Sequence, residues 1–207
     1  MNQRIPIVVL GLLAAIAFVS LGCHPGNIND LSETDIVATH YDETVDFGAY
    51  LTYAMEDTIY DMAELENPDY PSDLDRTHQS LIISLVKEQM ASVGYQLLPE
   101  DSTEEPDLRI GLGALTKEGT IYYGWGGYYW YGGYYGRVDY TVGTLLIFMA
   151  DWETRDEDED TIDVIWTAGI DGVLDDSTSR MSDRINRAIP QAFTQSPYLG
   201  TTVEVQP

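Results

Sequence analysis

The chain has 207 residues and carries 35 Asp and Glu against 10 Lys and Arg, a formal net charge of -25, with Lys87 and Lys117 as its only lysines. A surface this negative is repelled by phosphate backbones and anionic headgroups, because binding to either depends on Lys and Arg neutralising phosphates. No nucleic-acid partner is expected, and the composition suits a protein kept soluble in a salty medium, where screening relieves self-repulsion.

Residues 1–22 read as an export signal: a polar start with Arg4, thirteen apolar or small residues from Ile7 to Val19, then a small-residue cleavage point. The apolar run is too short to span a bilayer. Cys23 is the only cysteine, and Val19-Ser20-Leu21-Gly22-Cys23 resembles a bacterial lipobox. That resemblance implies that the signal is removed and Cys23 becomes an acylated first residue, attached to the membrane through its lipid. Each acyl CH₂ contributes about 0.8 kcal/mol, so several chains on one residue make attachment effectively permanent. In enterobacterial lipoproteins an Asp after the cysteine favours inner-membrane retention. His24 therefore points to the outer membrane, with the body facing the periplasm. With Cys23 committed to lipid, no disulfide framework is available and packing must supply stability.

Residues 23–34 form the acylated cysteine and a polar, aperiodic tether. Residues 35–198 read as one domain, long enough for a real core but short for two. Ile36 to Tyr41 is rich in β-branched and aromatic residues, and Phe47, Ala49, Leu51 and Tyr53 alternate, predicting a first pair of strands or a strand with a turn at Asp42 to Asp46. A Pro- and acid-rich loop spans Glu64 to Asp75. Leu81, Ile82, Leu85, Val86, Met90 and Val93 recur at helical spacing, and Gly94 stands where a helix end tolerates φ > 0.

Tyr95 to Leu98 reads as a short strand. Leu108, Ile110, Leu112 and Ala114 alternate strictly, marking a strand with one buried face. Val142 to Ala150 is almost continuously apolar, a strand covered on both sides rather than a short buried helix. Ile162, Val164, Trp166, Ala168 and Ile170 alternate again, so these two segments predict a hairpin around the charged stretch Trp152 to Thr161. Met181, Ile185, Ala188, Ile189, Ala192 and Phe193 mark a second amphipathic helix, which Pro190 should kink or split because it lacks a backbone donor. Residues 199–207 are expected to be a tail. The fold class predicted is α+β: an antiparallel sheet of about five strands with two helices packed on one face.

Several of these positions carry a family likeness. Asp46-Phe47, Thr52-Tyr53-Ala54, Gly94-Tyr95, Pro106-Asp107-Leu108, a Gly/aromatic tract leading into Gly143-Thr144-Leu145, Asp151, Trp166-Thr167-Ala168 and the closing helix before Pro197 occur in that order. The pattern, over about residues 35 to 198, resembles the bacterial lipoprotein family called domain of unknown function 4136. The resemblance implies an envelope lipoprotein with a small α+β fold. It implies no activity and carries over no functional residues.

Tyr122 to Gly136 contains only Tyr, Trp and Gly: nine aromatic rings on a backbone with six glycines. Two readings stay open. The rings of Trp125, Tyr128, Tyr129, Trp130 and Tyr131 form a partner-binding surface for an envelope protein or a glycan, or the tract is a sheet cover or low-complexity insertion without a ligand. Asp156 to Asp160 invites a calcium reading, but the EF-hand pattern fails for want of a Gly after Asp160 and a Glu at Thr167, so a solvated hairpin tip is expected, with weak divalent-ion binding as the lesser alternative. His24, His40 and His78 are scattered singly, and no spacing suggests zinc.

No nucleophile elbow, phosphate loop or dinucleotide fingerprint is present, so neither cofactor nor catalytic residue is expected. A hydrolase needs only two well-placed carboxylates, but abundance of acids is not a site. The leading expectation is a noncatalytic outer-membrane lipoprotein that acts as an envelope interaction or scaffolding module. Its rival is a passive structural lipoprotein without a specific ligand, and a carboxylate-based hydrolase ranks third.

Overall fold

The strict alternation from Leu108 to Ala114 becomes the spine of the sheet. The computed structural model describes residues 36–67, 69, 72, 74–116, 119–123, 136–140, 143–156, 161–174 and 180–200. In chain order the strands are β1 (Val37–Tyr41), β2 (Thr52–Met55), β3 (Tyr60–Asp61), β4 (Gln96–Leu97), β5 (Leu108–Leu115), β6 (Gly119–Tyr123), β7 (Gly136–Tyr140), β8 (Thr144–Asp151) and β9 (Val164–Ile170). The helices are α1 (Met62–Glu66), α2 (Gln79–Ser92) and α3 (Met181–Thr194), with 3₁₀ turns at Phe47–Ala49 and Trp152–Thr154.

Seven strands form one mixed sheet in the order β1-β9-β8-β5-β2-β4, with β3 also lying along β5. The pairs β1/β9, β9/β8 and β8/β5 are antiparallel, whereas β5/β2, β5/β3 and β2/β4 are parallel. The expectation of about five antiparallel strands is therefore corrected. Parallel neighbours need a crossover connection rather than a tight turn, and a helical excursion supplies one here. The chain leaves β2, runs through α1 and α2, and re-enters beside β2 as β4. Two-residue strands such as β3 and β4 are also too short to show an alternation. The expected first strand pair is not a pair either: β1 lies against β9, and β2 lies between β5 and β4. Of the alternating set Phe47, Ala49, Leu51 and Tyr53 only Phe47 and Tyr53 are buried, and Phe47–Ala49 is a 3₁₀ turn, so that alternation reported neither a pairing nor a continuous buried face.

The two long helices share one sheet face, as expected. Ile82, Val86 and Met90 of α2 and Met181, Ile185 and Ile189 of α3 join Leu108, Ile110, Leu112, Leu145, Ile147 and Met149 in the main core. Trp166, 1% exposed, occupies the core phase that the β9 alternation assigned to it. On the opposite phase of β5 and β8, Leu115, Leu146 and Phe148 form a smaller cluster against Met62 of α1.

Helix ends follow local chemistry more closely than strand partners do. Gly94 adopts φ 98°, the left-handed conformation expected just past α2. Pro190, by contrast, neither splits nor ends α3, which runs unbroken to Thr194. The missing donor and ring clash cost about 3 kcal/mol in a free helix. Here Ile185, Ala188, Ile189, Ala192 and Phe193 are buried along one side, and burial at about 1.5–3 kcal/mol per large apolar side chain outweighs that cost. Leu199 and Gly200 were expected to begin a tail, but both are buried. Just before them the Tyr198 ring stacks on Tyr41 with centroids 3.7 Å apart.

Candidate functional site

The pairing offset of the central ladder recurs in a second, two-stranded sheet. Leu108 pairs with Asp151 and Leu115 with Thr144; after a three-residue interruption on each side, Gly119 pairs with Tyr140 and Tyr123 with Gly136. The interruptions are equal, so the separate two-stranded sheet of β6 and β7 keeps the pairing offset of β5 and β8. Gly143 makes the junction: at φ 87° it lies where a side chain is strained, and its N–H donates to the Leu115 carbonyl at 2.8 Å. Residues 124–135, all Gly, Tyr or Trp, connect the far ends of β6 and β7. Trp125, Tyr128, Tyr129, Trp130 and Tyr131 belong to that connection and lie outside the described residues. From Gly119 to Tyr140 the only charged residues are Arg137 and Asp139, so the extension is neutral in a chain of net charge -25.

At the opposite end of the same ladder, acids tie strand ends together. Asp107 Oδ2 accepts from the Leu51 and Thr52 backbone N–H groups, both at 2.8 Å, and from Thr52 Oγ1 at 3.0 Å. Asp151 Oδ2 accepts from the Tyr50 hydroxyl at 2.8 Å, and its Oδ1 accepts from the Glu153 N–H. Burial alone would push the Asp107 carboxyl up, but its three hydrogen bonds together hold it below the usual carboxylate range. Asp163, although exposed, goes the other way: partial desolvation raises it first, and repulsion from Asp151 and Asp42 adds to that.

The two shifts have opposite consequences for stability. A depressed carboxyl contributes stability above its unfolded pKa, about 3.9, and that contribution is lost in acid. A raised one imposes a penalty at neutral pH that is relieved as pH falls through its folded value. Asp163→Asn is therefore expected to stabilise the protein at pH 7. Its advantage should shrink as pH drops towards about 4 and stay constant below. Denaturant midpoints of parent and variant across that range measure the effect. A difference independent of pH would show that Asp163 carries no strain.

A cleft of about 310 Å³ opens beside β2 and β4, lined in part by Glu56, Leu98, Glu104, Pro106 and Arg109. Its lining carries four acids, Glu56, Asp57, Glu100 and Glu104, against the one guanidinium of Arg109. Arg109 pairs with Glu56 at 2.6 Å, and Glu56 also accepts from the Tyr60 hydroxyl. The Trp152 ring lies near two guanidiniums, Arg109 at 5.6 Å and Arg155 at 4.6 Å from its centroid, and Arg155 pairs with Glu105 at 2.7 Å. This ladder of Glu, Arg, Trp, Arg and Glu was not visible in the sequence. Only the polar phase of Arg109 in β5 hinted at it.

The remaining expected sites separate. Asp156 and Thr161 exchange backbone hydrogen bonds at 2.8 and 3.0 Å, closing the loop between β8 and β9, while residues 157–160 lie outside the described residues. His40 is in β1 and His78 precedes α2; His24 and Cys23 lie outside the described residues. Among the described residues no group of three or more His, Cys, Asp or Glu is placed to hold a metal ion. No helix among them is long and apolar enough to cross a membrane.

The sequence profile of the family named domain of unknown function (DUF4136) matches residues 37–198. This chain belongs to the DUF4136 family. The fold agrees with a crystal structure of a DUF4136 family protein from Bacteroides thetaiotaomicron: TM-score 0.63 at 23% identity, covering 81% of this chain and 98% of that one. Two looser neighbours are a PDZ domain protein from Parabacteroides distasonis and a PelC dodecamer from Paraburkholderia phytofirmans. The first has TM-score 0.43 and 14% identity, covering 79% of this chain and 36% of that one; the second has 0.42 and 11%, covering 80% and 98%. No curated protein matches the chain.

The DUF4136 landmarks now have physical roles, and the roles are architectural. Asp46 caps the turn that buries Phe47, Tyr53 and Trp166 fill the core, Asp107 ties β2 to the start of β5, and Gly143 makes the ribbon junction. The Tyr95 hydroxyl donates to the Phe47 carbonyl at 3.1 Å and accepts from the Gly200 N–H at 2.9 Å.

Proposed function

We propose that this DUF4136 protein is a noncatalytic lipoprotein of the outer membrane, facing the periplasm, that holds an envelope protein or a glycan. One observation carries the reading: a neutral two-stranded extension keeps the pairing offset of the central ladder, and its connecting residues are all Tyr, Trp and Gly. Such rings offer large contact area with a polar handle, the chemistry that stacks sugars and grips peptides. The body around it is strongly acidic and its landmark residues serve packing, which leaves the extension as the element suited to contact. Cys23 supplies the anchor, and no nucleic acid, metal or cofactor enters the reading.

Replacing Trp125 and Trp130 together by Ala is expected to abolish partner capture from crosslinked envelopes, at about 2 kcal/mol or more per anchor ring. The denaturant midpoint should stay near the parent value. A lowered midpoint with capture intact would instead make the tract a sheet cover and favour the passive structural lipoprotein. No change in either quantity rejects both. Cys23→Ser is expected to remove fatty-acid label, since a hydroxyl does not replace the thiolate in lipid transfer. An exported parent chain that takes up no label overturns the anchor.

A further inference from the structure

The main sheet protects its edges, and its extension does not. On the outer side of β1 the Gln195 side chain donates to the Val37 carbonyl at 3.1 Å, and at the other edge β4 is only two residues long. Covering an edge and keeping it short are both ways of preventing an unwanted strand from adding. The β6–β7 ladder has five residues in each strand and neither Pro nor Lys between residues 119 and 140. Among the described residues no third strand lies beside it. A two-stranded ladder of this length is marginal by itself in water.

The sequence of β7 says what kind of strand fits there. It reads Gly136-Arg137-Val138-Asp139-Tyr140, which is self-complementary about its centre. Laid antiparallel against β7 of a second copy with Val138 opposite Val138, it sets Arg137 opposite Asp139 twice and Gly136 opposite Tyr140 twice. Directly opposed unlike charges stabilise an antiparallel pair, and like charges destabilise it. A strand that matches itself this way makes an isologous two-fold interface. Bodies of net charge -25 repel one another, so a neutral extension is where two copies approach at least electrostatic cost.

We infer that β7 pairs antiparallel with β7 of a second copy, about a two-fold axis at Val138, joining two extensions into a four-stranded sheet. This pairing depends neither on the lipid anchor nor on capture by Trp125 and Trp130. Five paired residues bury far less than the roughly 1,600 Å² of a standard interface, so the association is weak and covalent trapping is the suitable readout.

The test uses the full chain with Val138→Cys, mildly oxidised in isolated envelopes and resolved without reductant. Opposed Cβ atoms lie about 4.5–5.5 Å apart in antiparallel pairs, close enough for a disulfide to form with small adjustment. An adduct of twice the chain mass is expected, absent from the parent, whose Cys23 serves as the control. Adding Arg137→Asp or Asp139→Arg singly places like charges opposite each other and should lower the yield about tenfold. Combining the two restores it. The same charge series without the cysteine, followed by sedimentation over a rising range of protein concentration, should show self-association in the parent that each single reversal weakens and the pair restores, independently of how Val138→Cys folds. An adduct of any other mass, no adduct, or a yield indifferent to the single reversals overturns the pairing.

Discussion

Trp166→Ala is expected to cost about 3–5 kcal/mol of unfolding free energy, the range for removing a large buried aromatic. The ring is 1% exposed in the central part of β9, with its centroid 5.4 Å from that of Phe193 on α3. The substitution therefore opens a cavity where sheet and helix meet. It also removes a polar link: Trp166 Nε1 donates to Ser196 Oγ at 3.1 Å, and that hydroxyl donates to the Ala192 carbonyl at 2.9 Å. Ser196 is itself 1% exposed, so it loses a donor where water cannot readily replace it. Denaturant unfolding with an unchanged slope measures the loss. A variant that melts like the parent would put the ring at the surface and shift the register of β9 by one residue.

Gly200→Ala is expected to cost about 2–4 kcal/mol, a large penalty for adding one methyl group. The φ of Gly200 is +104°, where an L side chain is strained, and a Cβ there would lie 2.1 Å from the Val93 carbonyl oxygen. That oxygen belongs to the backbone just beyond α2 and cannot swing aside as a flexible side chain would. The turn must lift, breaking the 2.9 Å bond from the Gly200 N–H to the Tyr95 hydroxyl and exposing Leu199. Tyr95→Phe provides the milder comparison, because it deletes the hydroxyl that bridges Phe47 and Gly200 but leaves the turn unstrained. It should cost about 1–2 kcal/mol. If Gly200→Ala falls within roughly 0.5 kcal/mol of the parent, the spread of ordinary surface substitutions, the C-terminal turn is not docked against α2.

Local periodicity determined much of this protein. The alternation of Leu108, Ile110, Leu112 and Ala114 and the helical spacing of Ile82, Val86 and Met90 record which side of each element faces the core. That information lies within a few residues of chain. Gly94 marked a helix end for the same local reason: its backbone alone adopts φ 98° without strain. Family order was legible too, since its landmarks are core and turn residues whose chemistry is intrinsic to the positions they fill.

The candidate site divides along the same line. Its uncharged Tyr, Trp and Gly run announces itself by composition, but a run without alternation contains no register. Only the pairing of Gly119 with Tyr140 gives its flanks a register, one that shares the offset of the central ladder. Strand partners, the parallel return of β4, the burial of Leu199 and the unbroken α3 across Pro190 were decided by tertiary structure alone. Asp107 states the reason most directly: its carboxylate acquires a role only on meeting the N–H groups of Leu51 and Thr52, more than fifty positions earlier in the chain. A hydrogen bond of that kind depends on which segments packing brings together, and no window of neighbouring residues encodes it.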